Sequence, residues 1–94
     1  MSLDIHDLSK IPGIKLINEE SIRNSDFSGV SIDSRKCKKS ELFIAIKGER
    51  FDGHDFIKDV FKKGNKAVLV EKKWLSGTGR KLKSSFNKKA FLVV

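Results

Sequence analysis

The run Lys47-Gly48-Glu49-Arg50-Phe51-Asp52-Gly53 gathers the residue types best suited to holding a phosphorylated ligand. Arg50 offers a planar fork of donors that matches phosphate geometry, and Phe51 beside it offers a flat aromatic face. Gly48 and Gly53 carry no side chain, so backbone can approach a ligand closely there. A second short segment, Asp33-Ser34-Arg35, supplies a hydroxyl from Ser34 between two opposite charges. Asp33 and Arg35 are read as a turn-pinning pair, since aspartate and serine are ordinary turn residues. His54, next to Asp55, has the type of an acid, a base or a phosphate donor, but is read as a structural residue at a helix start.

Other reactive types lack companions. His6 has no neighbour at metal-ligand spacing, and Cys37 is the single cysteine, so neither a cysteine zinc cage nor an internal disulfide is available. No catalytic residue and no metal ligand is assigned. Ser76-Gly77-Thr78-Gly79-Arg80-Lys81 has the glycines and the lysine of a phosphate-cradling loop without its spacing, its leading strand or its trailing helix. It is read as a solvated surface loop, with no ATPase activity expected.

The formal charge of +8, from 20 Lys and Arg against 12 Asp and Glu, favours anionic partners without saying which. Much of the excess lies between Lys66 and Lys89, where eight basic residues accompany one acid, Glu71. With 94 residues, 38% of them apolar, the chain is expected to be a single domain around one modest core. No apolar run approaches the ~20 residues that span a bilayer, the first residues lack a secretion pattern, and the lone cysteine fits a reducing compartment. A cytoplasmic location is the expectation.

Hydrophobic patterning then supplies the elements that must position these residues. Ile5, Leu8 and Ile11 predict a short helix ended by Pro12-Gly13, and Ile14 to Ile17 a short strand. Gly29 to Asp33 alternates as a half-buried strand would. Leu42 to Ile46 is apolar throughout, as in a strand covered on both faces. Asp52 is placed as an N-cap for a helix over 54–63 whose apolar face is Phe56, Ile57, Val60 and Phe61, and Lys63-Gly64 supplies its end. Ala67 to Val70 is the next strand, so 42–70 reads as a parallel βαβ unit within a small mixed α/β sheet. Ligands gather at the carboxyl ends of such strands, and an anion is expected where the 47–53 loop meets the positive end of the helix. Residues 72–89 read as a turn and a flexible loop, and Ala90 to Val94 as the start of another buried strand, at which the chain stops. A larger protein, of which these 94 residues are one part, is the expectation.

At these spacings Asp33-Ser34-Arg35, Glu41 to Gly48 and Arg50-Phe51-Asp52-Gly53-His54-Asp55-Phe56 resemble the N-terminal domain of Mur ligases, over about Val30 to Val70. Within the family the Lys47 to His54 run looks most like the ligase that joins D-alanyl-D-alanine to the UDP-N-acetylmuramoyl tripeptide, with the enzyme adding the third amino acid next. The resemblance implies a three-domain, ATP- and Mg2+-dependent amide ligase of peptidoglycan synthesis, of which this is the UDP-sugar-binding domain. It implies nucleotide contacts from Ser34, Glu49, Arg50 and Phe51, with Lys47, Gly48 and Gly53 in the same loop and Asp33, Arg35, Asp52 and His54 in support. Phe51 would then face uracil. The expected partners are UDP-N-acetylmuramoyl-peptide and the central and C-terminal domains of the parent, with no cofactor in this domain and no membrane. Competing with this reading are a small basic nucleic-acid-binding module, using Trp74 and Phe86 to stack bases, and a non-enzymatic interaction module.

Overall fold

The computed structural model describes residues 3–4, 12–22, 26–47 and 52–94. The helix expected over Ile5 to Ile11 and residue His6 lie outside them, as do Gly48, Glu49, Arg50 and Phe51. Seven strands are present among the described residues: β1 (Leu3–Asp4), β2 (Lys15–Ile17), β3 (Asp26–Phe27), β4 (Gly29–Ser31), β5 (Glu41–Ile44), β6 (Ala67–Val70) and β7 (Ala90–Val93). Three short helices accompany them: α1 (Ile57–Lys63), α2 (Lys72–Ser76) and α3 (Arg80–Ser85). β1 and β3 form a small antiparallel pair, and the rest make a five-stranded sheet in the order β2-β7-β6-β5-β4. Its strands β4 to β7 are parallel and β2 lies antiparallel to β7, so the sheet is mixed, as the sequence predicts.

Alternation along the strands divides the core into two halves. Phe43, Ala45, Val68, Val70, Phe91 and Val93 meet Ile57, Val60 and Phe61 of α1 and Leu75 of α2 on the helical side. Leu42, Ala67, Ala90 and Leu92 meet Ile22 and Phe27 on the other. The β5–α1–β6 segment is the expected βαβ unit. A 3-10 turn over Gly53–Phe56 leads into α1, and Gly64 ends it in a left-handed conformation, φ +112°, where glycine carries no side-chain penalty.

Three expectations are corrected. Val30 and Ile32 are 47% and 66% exposed, so the apolar positions of the predicted half-buried strand face solvent. Val30 pairs in register with Leu42, but β4 is the edge strand, beyond the cluster that Ile22 and Phe27 close over. Ile46 is likewise 51% exposed, because β5 ends at Ile44 and only its first residues run between covered faces. Residues 72–89, expected as a turn and a flexible loop, contain α2 and α3. Their lysines and glycines mask the pattern in sequence, while Trp74, Leu75, Leu82 and Phe86 pack on the helical side of the core. Gly79 lies directly under the Trp74 ring, where a Cβ would come within 2.5 Å of the indole.

Candidate functional site

The loop that begins at Lys47 leaves the carboxyl end of β5, where a parallel sheet presents its ligands. Its two ends are drawn together. Lys47 and Asp52 form an isolated antiparallel bridge, and the Gly53 amide donates to the Ile46 carbonyl at 2.8 Å. Glycine is required at 53 by space, because a Cβ would stand 2.8 Å from the Ile46 nitrogen and 3.2 Å from the Ala45 Cα, both backbone. The four residues between these ends are those the sequence nominates as ligand contacts, and they fall outside the described part of the chain.

Asp52 is the expected N-cap. One of its carboxylate oxygens accepts the His54 amide at 3.0 Å and also meets the His54 ring at Nδ1, 2.6 Å away. Partial burial pushes the Asp52 carboxyl up, but the hydrogen bonds from the His54 amide and ring, with the Lys47 charge, outweigh it and hold it below the usual range. This alters the anion expected at the helix start: the negative group seated there is the chain's own Asp52. The regular part of α1 is also only seven residues long, so its dipole is small.

His54 is buried and on the far side of its ring accepts the Glu71 amide at Nε2, 3.1 Å, while its face lies 5.0 Å from the Trp74 ring. Its partners, Glu71 and Trp74, are ones the sequence reading missed. Only tertiary pairing brings residue 71 back to 54.

The second segment is anchored differently. Asp33 accepts the Arg35 amide at 2.9 Å and lies 3.6 Å from the Arg35 Nε, forming the turn pair the residue types predict. The Arg35 amide hydrogen bond lowers the Asp33 carboxyl most; desolvation opposes it, and the Arg35 and Lys36 charges add to the lowering. Ser34 is bound through its backbone: its carbonyl accepts Lys63 Nζ from the last turn of α1. Ser34 and Asp52 are thus tied to opposite ends of one helical segment, Gly53 to Lys63, ~17 Å long at 1.5 Å per residue.

Beyond Ser34 the chain is gripped by Asn65, another residue the sequence reading passed over. Its Nδ2 donates to the carbonyls of Lys38 at 2.7 Å and Glu41 at 3.0 Å, and lies 3.2 Å from the Cys37 sulfur. A polar residue wedged between a helix-ending glycine and a buried strand was the only local hint. Burial pushes the Cys37 thiol up, in keeping with an inert cysteine.

No group of three metal-binding side chains converges among the described residues. The Ser76 to Lys81 segment runs from the end of α2 to the start of α3, with Gly79 packed beneath an indole, so it offers ATP no cradle. Trp74 is turned onto His54 and Phe86 onto Phe61, with ring centroids 5.0 Å apart in each pair, so both half-buried rings already have an aromatic partner within the chain. No described helix is long and apolar enough to cross a membrane.

Comparison with known proteins places these features in a family. Residues 26–87 match the Mur ligase family, catalytic domain. Over 61 residues the chain is 48% identical to the UDP-N-acetylmuramoyl-L-alanyl-D-glutamate--2,6-diaminopimelate ligase of Clostridioides difficile (strain 630), covering 65% of this chain and 13% of that protein. Over 44 residues it is 50% identical to the UDP-N-acetylmuramoyl-tripeptide--D-alanyl-D-alanine ligase of Bacillus subtilis (strain 168), covering 47% of this chain and 10% of that protein. The chain thus spans a small part of the length of these relatives. Its fold superposes along its whole length on 18% of the MurF chain from Acinetobacter baumannii, with a TM-score of 0.74 and 22% identity. With the matched region covering β3 through α3, and so both segments of the candidate site, the chain belongs to the Mur ligase family.

Proposed function

We propose that this chain docks the UDP end of a UDP-N-acetylmuramoyl-peptide for an ATP-dependent ligase of peptidoglycan precursors. The observation that carries the reading is the loop drawn together at Lys47 and Asp52 on the carboxyl end of β5, inside the region matched to the family. Arg50 then serves as the forked donor to the pyrophosphate, Phe51 as the face for uracil, and Ser34 and Glu49 as hydrogen-bonding groups. Lys47, Gly48 and Gly53 shape the loop; Asp33, Arg35, Asp52 and His54 support it. ATP and Mg2+ act in the remainder of the ligase. The central and C-terminal domains are its partners, in the cytoplasm.

For the amine that the parent adds, D-alanyl-D-alanine is favoured by the Lys47 to His54 run and by the 50% identity to the Bacillus subtilis enzyme. The longer match, 48% over 61 residues, favours a diaminopimelate ligase as the second reading. On either reading the UDP end is proposed to dock in the same loop.

Calorimetric titration with UDP-N-acetylmuramoyl tripeptide and with UDP tests the proposal. Binding should need the uridine and persist in moderate salt, and Arg50→Ala should weaken it about tenfold or more, the loss of one charge-assisted contact worth ~1.5–3 kcal/mol. Ser34→Ala should cost less. Absence of uridine-dependent binding, or two variants that bind like wild type, overturns the site. A duplex that binds more tightly than UDP and is released steeply by salt returns the nucleic-acid reading.

A further inference from the structure

We propose that His54, as the neutral tautomer with its proton on Nδ1, is the positioning residue that fixes the neck of the 47–53 loop to the junction of β6 and α2. This rests on the reading of that loop as the nucleotide site for its consequence in binding, whereas the tautomer and the anchoring rest on the hydrogen-bond partners of the ring.

The assignment follows from the partners. Glu71 presents a backbone N–H, which can only donate, 3.1 Å from Nε2. Nε2 must therefore offer its lone pair. On the opposite edge, Nδ1 lies 2.6 Å from an Asp52 oxygen that already accepts the His54 amide. An ionised carboxylate only accepts, and the hydrogen bonds around Asp52 keep it ionised at neutral pH. Nδ1 must therefore carry the proton. A doubly protonated ring would set an N–H against the N–H of Glu71 in a site where the histidine is 3% exposed. The contact between His54 and Asp52 is accordingly a directed hydrogen bond from a neutral ring.

This arrangement makes a continuous tie across the end of the sheet. Lys47 bridges Asp52, Asp52 is held by His54, and His54 is held by the amide that follows β6. Trp74 closes the ring face, and Gly79 lets the indole lie flat by leaving space beneath it. The next amide along, Lys72, donates to the Val94 carbonyl, so the same junction is also joined to the end of β7. The charged groups around the ring are Asp52 and Lys47 from the loop, Asp55 from the turn, and Glu71, Lys72 and Lys73 from the start of α2. Of these, Asp52 is the one hydrogen-bonded to the imidazole through its side chain.

Two isosteric variants separate the two edges of the ring. His54→Asn sets an amide where Nδ1 stood and keeps a donor for Asp52. His54→Gln reaches toward the position of Nε2, keeps an acceptor for Glu71, and leaves Asp52 without its ring partner. In the 15N-labelled 94-residue chain, long-range proton–nitrogen spectra should show His54 Nδ1 bearing hydrogen and Nε2 bare; the opposite tautomer, or a ring protonated on both nitrogens at neutral pH, overturns the assignment. Hydrogen exchange of the Gly53 amide should quicken about tenfold or more in His54→Gln and less in His54→Asn; unchanged exchange in both overturns the anchoring. UDP titration of the folded variants should show about tenfold weaker binding for His54→Gln and a loss within about threefold for His54→Asn, tenfold being about 1.4 kcal/mol. Equal binding by wild type and His54→Gln would sink the positioning role, whereas failure of wild type itself to bind UDP sinks the proposed function and leaves the spectra and the exchange rates to decide the role of His54.

Discussion

Two buried polar side chains each hold one segment of the candidate site, and they do so by opposite means. Asn65 grips the chain after Ser34 through backbone carbonyls, which every residue type supplies. His54 grips the loop through the side chain of Asp52. The first hold is tolerant of sequence at its receiving end and the second is not. The lesson is that residue 38 can vary without loosening the Ser34 side of the site, with Glu41 also accepting the Lys38 amide through its carboxylate, whereas 52 and 54 form a matched pair.

The largest expected effect sharpens the Asn65 side. Asn65→Ala removes two part-buried hydrogen bonds, to the carbonyls of Lys38 and Glu41, the first of which keeps the Glu41 amide as a donor, at a cost of about 2–3 kcal/mol in urea unfolding. The same variant should expose the Cys37 thiol to alkylation under conditions where the wild-type thiol, buried beside Asn65, is protected.

Gly53→Ala tests the neck itself. The added methyl meets the backbone of Ala45 and Ile46, so β5 or the loop must shift, costing about 2 kcal/mol by thermal unfolding. If Gly53→Ala melts like wild type, the neck is looser than its hydrogen bond implies.

Asp52→Asn comes next, at about 1 kcal/mol, because the carboxylate is partly open to solvent and an amide oxygen still accepts. Its pH dependence has a definite sign. The native carboxyl is held below its usual range, so its contribution is present above the unfolded value of about 3.9 and is lost as pH falls through the lower native value. The gap in melting temperature between wild type and Asp52→Asn should therefore be open at pH 7 and close on acidification toward pH 3.

The smallest effect completes the contrast. Lys38→Ala should change stability by no more than about 0.5 kcal/mol, because Asn65 holds that residue by its carbonyl while its side chain lies in solvent. A loss as large as that of Asn65→Ala would show that the side chain, and not the backbone, carries the hold.

The same contrast separates what could be read from the sequence from what could not. β5, α1, β6 and β7 were legible because each announces itself locally, in the apolar run at Leu42, the helical spacing from Phe56 to Phe61, the stop at Gly64 and the run at Ala90. The cap at Asp52 was legible for the same reason. α2 and α3 were not, since their lysines and glycines imitate a loop and their helicity is fixed by where Trp74, Leu75, Leu82 and Phe86 land on the sheet. Val30 misled because alternation reveals a strand but not whether anything covers its apolar side. The binding loop was legible as a run of residue types at 47–53, while its support was hidden. Asn65 and His54 reach partners 27 and 17 residues away, and no spacing rule connects them.

The place of β7 governs how this chain acquires its shape. β7 lies between β2 and β6, so β2 has no sheet neighbour until residues 90–93 are in place. Closing that pair means joining Lys15 to Val93, a long-range contact that slows folding and is won late. Until then β6 presents an unpaired, wholly apolar edge, which leaves a chain whose β7 has not yet docked open to misassociation.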